Sequence, residues 1–238
     1  MASESFFGRH EAVFVYVPNL IGYLRVFCTL LALCCASTRP ALCITAYFFG
    51  FVCDDLDGRF ARLFNQTSKV GAVLDMVTDR ISTSGLLVIL GGLYPHWSFT
   101  CAALCMLDIS SHWFQMVATS TLGANSHKDT NSQSWLIRLY YRQRIFMGVC
   151  CISCEILYLS VYLLRWDAYW QWPCFHLPLP ASLLNLSGLK SSDPIPLALI
   201  TAAASIPWFT LKQIINVVQL KAAMLQLVQY DIQQLKAS

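Results

Sequence analysis

Six stretches of about 20 mainly apolar residues divide this 238-residue chain, at roughly 18–37, 41–60, 72–93, 97–120, 145–164 and 195–218. A helix of that length matches the roughly 30 Å hydrocarbon core of a bilayer. In lipid the backbone must satisfy its own hydrogen bonds, so each such stretch reads as a helix. The expected fold is all-α: a polytopic membrane protein of six transmembrane helices, forming one membrane-embedded domain over 1–238. Charged residues make up only 12% of the chain, about half the usual share of a soluble domain. That is too little to cover a water-soluble globule. It excludes a disordered chain and most soluble enzymes, and no nucleic acid is expected as a partner.

Pro40, Pro95, the polar stretch 123–134 and the Trp- and Pro-rich loop 166–194 separate the spans. Trp97, Trp135, Trp166, Trp170 and Trp172 fall near expected span ends, where interfacial aromatics collect. The first apolar stretch is long enough to span by itself, which reads against a cleaved leader. Apolar residues at helical spacing in the C-terminal tail, about 220–238, predict an amphipathic segment lying along the interface. Loop charge sets the orientation. Arg9, Arg59, Arg62, Lys69, Lys128, Arg138, Arg142, Arg144, Lys221 and Lys236 fall on one side, against Arg39, Arg165 and Lys190 on the other. Both termini and the second and fourth loops are therefore expected in the cytoplasm. The 11 cysteines show no framework spacing, and Cys151-x-x-Cys154 sits mid-span, where it reads as small-residue helix packing.

Against this background the acids stand out. Five of the 13 acidic residues lie between positions 54 and 79: Asp54, Asp55, Asp57, Asp75 and Asp79. A carboxylate in a membrane helix costs about 2.5–3.5 kcal/mol on insertion, so each needs a reason. At 100° per residue Asp54, Asp57, Gly58 and Ala61 share one helix face, with Arg62 at its edge. Gly71, Asp75 and Asp79 form a second stripe, with Thr78 and Ser82 beside it. The loop over 63–70 is short enough for the two stripes to face each other. Asp55 points away, toward Arg59 and Arg62, and is expected to pair there.

Oxygen-only donors without His or Cys favour a hard cation, Mg²⁺ or Mn²⁺. Four carboxylates would suit two divalent ions, a pair often used for attack at phosphorus. Gly58 and Ala61 leave room on the helix face, Arg62 and Lys69 supply positive charge at the rim, and Ser68 adds a hydroxyl. These residues predict a membrane-embedded, metal-dependent site for a phosphorylated substrate.

The segment Asp54-x2-Asp57-Gly58-x2-Ala61-Arg62-x8-Gly71-x3-Asp75-x3-Asp79 resembles, at each of its eight fixed positions, the motif of the CDP-alcohol phosphatidyltransferase family. Further segments are similar to the eukaryotic, phosphatidylinositol-forming branch of that family. They include Val15-Tyr16-Val17-Pro18-Asn19 with Gly22 and Arg25, Phe64-Asn65-Gln66, Leu74 to Arg80, Leu107 to Trp113, Ser126-His127-Lys128 and Arg138 to Tyr141. The resemblance implies a six-helix homodimer in the endoplasmic reticulum membrane, with CDP-diacylglycerol and myo-inositol as substrates. By carry-over, Asp54, Asp57, Asp75 and Asp79 would hold two ions. Gly58, Arg62 and Ser68 would bind CDP-diacylglycerol, and Asp79 would be catalytic, taking the acceptor's proton.

Other readings compete. The acids could form a structural cluster paired with Arg59, Arg62, Lys69 and Arg80, which leaves the Gly and Ala spacing unexplained. The acceptor could be glycerol 3-phosphate or serine; Arg138, Arg142 and Arg144 could form the cationic pocket the former requires. An ion-coupled transporter would place its acids near the bilayer midplane and show repeats, neither of which is evident. The polar stripes Asp108/Ser111/His112/Gln115, Arg144/Gly148/Cys151/Glu155/Tyr158 and Lys212/Asn216/Gln219 are expected chiefly to join helices, with acceptor recognition as the second option. His127 and Lys128 read as solvated loop.

Overall fold

The computed structural model describes residues 12–122, 135–171, 174–175 and 195–237. Helices occupy all six expected stretches: α1 (Val17–Cys35), α2 (Pro40–Leu63), α3 (Lys69–Leu93), α4 (Ser98–Leu122), α6 (Arg144–Leu163) and α8 (Leu197–Ala237). Two short helices, α5 (Trp135–Arg142) and α7 (Ala168–Gln171), flank α6. Strands β1 (Cys174–Phe175) and β2 (Ile195–Pro196) pair antiparallel. Pro18 and Pro40 stand in the first turns of α1 and α2, where their missing N–H costs nothing. Among the described residues α1, α6 and Leu197–Lys236 are long and apolar enough to cross a membrane. The chain is a multi-pass integral membrane protein.

Side-chain placement is that of a protein solvated by lipid. The buried face of α1 carries Pro18, Asn19, Gly22, Arg25, Cys28, Thr29 and Ala32, while Leu20, Leu24, Phe27 and Leu30 point outward. Small and polar residues mediate the contacts, and large apolar ones face out, because lipid already solvates Leu and Phe. Phe48, Phe49 and Phe51 on α2 are likewise exposed.

The chain forms two compact units, Met1–Gly92 and Leu93–Ser238. In the first, α1 packs on α2 and closely approaches α3. A Cβ at Gly22 would come within 2.6 Å of Leu74 Cδ2, so glycine is what admits the Leu74 side chain. In the second, α8 packs against α4 and α6. Its polar side chains join helices: Ser160 Oγ meets Thr201 Oγ1 at 2.8 Å, and Gln219 Nε2 donates to the Ser111 carbonyl at 3.4 Å. Lys212 Nζ donates to Asn216 Oδ1 at 2.6 Å and lies over the Tyr140 ring. The His112 ring donates through Nδ1 to the Asp108 carbonyl at 2.9 Å. Cys151 Sγ sits 3.2 Å from the Tyr140 hydroxyl, joining α6 to α5.

The C-terminal tail, expected to be an amphipathic segment, continues α8 without a break, in one helix of 41 residues with Pro207 in its interior. The helix formers after Lys221, free of Gly and Pro, give the chain no reason to break there. Arg9, His127, Lys128, Trp172, Lys190 and most of the 166–194 loop lie outside the described residues.

Candidate metal centre and its cavity

The link between α2 and α3 brings the two acidic stripes together. Phe60 and Ala61 accept hydrogen bonds from the N–H groups of Phe64 and Gln66, both at 2.9 Å, closing the end of α2. Between these donors Asn65 has φ 52°, a left-handed conformation that Asn tolerates better than most residues. Three residues later Ser68 caps α3, its Oγ accepting from the Gly71 N–H at 2.9 Å. Gln66 Oε1 accepts from the Val17 N–H at 2.9 Å, so the same turn also satisfies the start of α1.

Folding this hairpin assembles four of the five aspartates around one guanidinium. Arg25, projecting from α1, is 4% exposed. Its Nη1 donates to Asp57 Oδ2 and to Asp75 Oδ1, each at 2.8 Å. Its Nη2 donates to Asp79 Oδ1 at 2.6 Å and pairs with Asp54 Oδ1. Each terminal nitrogen therefore bridges α2 and α3. Asp79 Oδ2 also lies 3.5 Å from Arg80 Nη2. Asp55 is turned away and pairs with Arg59 Nε at 2.8 Å, as its helix position predicted.

Carboxylate oxygens of Asp54, Asp57 and Asp75 lie within 4.8 Å of one another, so these three aspartates could hold a metal ion. The donors fit a hard cation. The charge fits as well: four carboxylates around Arg25 retain a formal excess of three negative charges. Asp79 joins the cluster through Arg25 rather than through that three-residue set.

A cavity of about 170 Å³ opens beside the cluster. Asp57 and Asp75 line it together with Gly58, Ala61, Arg62, Ser68, Gly71, Asn19 and Gln66. Gly58, Arg62 and Ser68 thus border one and the same cavity. The two motif glycines do different jobs. A Cβ on Gly71 would lie 2.8 Å from Asn19 Oδ1 and 3.1 Å from Ser68 Oγ, so internal packing demands glycine. A Cβ on Gly58 would meet only the Arg62 guanidinium, at 3.5 Å. Nothing in the protein's own packing requires Gly58, and its bare backbone enlarges the cavity.

Sequence reasoning missed the role of Arg25. The signal was present: a basic residue inside the first apolar run must find an acidic partner or leave the lipid. Its four partners lie 29 or more positions away, beyond any helical-wheel argument.

The family model for CDP-alcohol phosphatidyltransferase matches residues 15–228. The chain belongs to the CDP-alcohol phosphatidyltransferase family. Among its relatives is a probable CDP-diacylglycerol–inositol 3-phosphatidyltransferase 2 of Arabidopsis thaliana, 44% identical over 93% of each chain. The Schizosaccharomyces pombe CDP-diacylglycerol–inositol 3-phosphatidyltransferase is 37% identical over 95% of this chain and 94% of its own. The human protein of that name is 35% identical over 66% of this chain and 74% of its own. No solved structure gives a significant match.

Proposed function

We propose that this protein is a CDP-diacylglycerol–inositol 3-phosphatidyltransferase, moving the phosphatidyl group from CDP-diacylglycerol to myo-inositol and releasing CMP. The names of relatives similar over 93% or more of the chain support this reading. The observation that carries the chemistry is the convergence of Asp54, Asp57 and Asp75 at a cavity walled by Gly58, Arg62 and Ser68. An oxygen-only cluster beside a cationic side chain suits a pyrophosphate.

In this reading Asp54, Asp57, Asp75 and Asp79 hold two Mg²⁺ or Mn²⁺ ions, which offset charge on the phosphate oxygens when bound. Gly58 leaves space for the nucleotide, Arg62 neutralises its diphosphate, and the Ser68 hydroxyl donates to it. The inositol hydroxyl oxygen attacks the phosphorus that carries diacylglycerol, and the bond from that phosphorus to the CMP oxygen breaks. Asp79 orients the hydroxyl and accepts its proton. A carboxylate is a weak base for an alcohol, but a loose transition state asks for little proton transfer before the P–O bond breaks. Six spans and a cytoplasmic active site complete the reading, supported by the six long helices and the loop-charge bias; a homodimer in the endoplasmic reticulum rests on the family resemblance alone.

The test is a purified-protein assay with CDP-diacylglycerol and Mg²⁺ against inositol, serine and glycerol 3-phosphate. CMP release is expected with inositol and to cease in EDTA. Release with glycerol 3-phosphate but not inositol would replace the acceptor named here.

A further inference from the structure

We propose that Arg25 is a built-in counter-cation that holds the aspartate cluster together without metal and competes with divalent ions for its carboxylates. The inference rests on the metal-binding reading of the site and adds a residue to it that the motif does not contain.

The geometry is specific. A guanidinium offers four N–H groups on its two terminal nitrogens, and here those nitrogens meet four carboxylates, two from α2 and two from α3. A surface-type pair would engage one or two. The side chain is also sequestered, at 4% exposure, whereas the side chains of Asp54, Asp75 and Asp79 are 37–48% exposed. The cation thus forms the floor of the cluster, and the acids keep an open side. Four like charges brought together by the short 64–68 link would repel and drive α2 from α3. One guanidinium bridging both helices with each nitrogen opposes that separation.

Three of the four carboxylates so bridged, Asp54, Asp57 and Asp75, are the ones able to share a cation. Both cations draw on the same carboxylates, and each weakens the other's hold by electrostatic repulsion. Linkage then fixes two signs. Removing the Arg25 charge must raise the cluster's affinity for a divalent ion, and it must lower the stability of the metal-free protein. A residue that merely supported the ligands would give the opposite first sign.

The experiment uses the full chain in nanodiscs, as wild type, Arg25→Gln and Arg25→Lys. Mn²⁺ binding is followed by the EPR signal of free Mn²⁺, and thermal unfolding is measured in EDTA and in saturating Mn²⁺. Arg25→Gln is expected to bind Mn²⁺ about 5- to 100-fold more tightly than wild type. In EDTA it should melt at least about 4 °C lower, with the gap narrowing in Mn²⁺. Arg25→Lys keeps the charge but loses the planar fork, so it should fall between the two. It carries the comparison if the Gln variant does not fold. Equal or weaker Mn²⁺ binding in the variant that folds overturns the inference and leaves the metal site standing. A wild-type protein that binds no Mn²⁺ overturns both.

Discussion

Asp79 differs from its three neighbours in ways that bear on its role. It touches both Arg25 and Arg80, and it stands outside the trio whose oxygens could share one ion. A carboxylate with one oxygen on each of two cations is well oriented. It is suited to aligning a hydroxyl more than to withdrawing a proton early. Asp79→Asn keeps the shape and removes the charge. Turnover, followed as CMP release, should fall roughly 100-fold or more, while CDP-diacylglycerol is still retained by the protein in a binding assay. Turnover at the wild-type rate would remove Asp79 from the mechanism. The glycines divide similarly: Gly71 answers to packing and Gly58 to space, a distinction visible only once Asn19 is seen beside Gly71.

At the scale of the element, the α2–α3 hairpin does the positioning. Its closure depends on Asn65 in a left-handed conformation, followed by the Ser68 cap. A β-branched side chain is a poor occupant of that region, at a cost of about 1–2 kcal/mol. Asn65→Val should therefore lower the midpoint of thermal unfolding, while Asn65→Gly should leave it near the wild-type value. Equal midpoints for the two would mean the turn does not depend on this conformation. Helical periodicity made the two stripes and the Asp55–Arg59 pair legible in advance, because those relations are local and repeat every 3.6 residues. Two things were not legible that way. Arg25 reaches its partners across tertiary space, and the tail's geometry depends on whether a helix stops. The tail has amphipathic spacing, but its sequence lacks a stop signal, and the absence of Gly or Pro after Lys221 was the more telling feature.

The whole molecule is governed by its solvent. Many Phe, Leu and Val side chains are exposed, while Asn19, Thr78, Ser111 and Arg25 are buried alongside Leu86, Leu87 and Ile215, a pattern unlike that of a soluble globule. The charge bias across the loops predicts which way the chain threads the bilayer. A glycosylation acceptor inserted near residue 190 should be modified in microsomes, whereas acceptors at residue 10 or after residue 236 should stay unmodified. Modification at either terminus would invert the topology. The long C-terminal helix has a further implication for this threading. At 1.5 Å per residue its 41 residues reach about 60 Å, twice the depth of the oily interior. Pro207, the one kink-prone position, comes about fifteen residues before the tail begins. Laying the final turns along the headgroups would therefore take a tilt of the whole helix or a bend at Pro207. Val228, Ile232 and Leu235, all exposed, thus ride on the same rod as the apolar stretch that begins at Leu197.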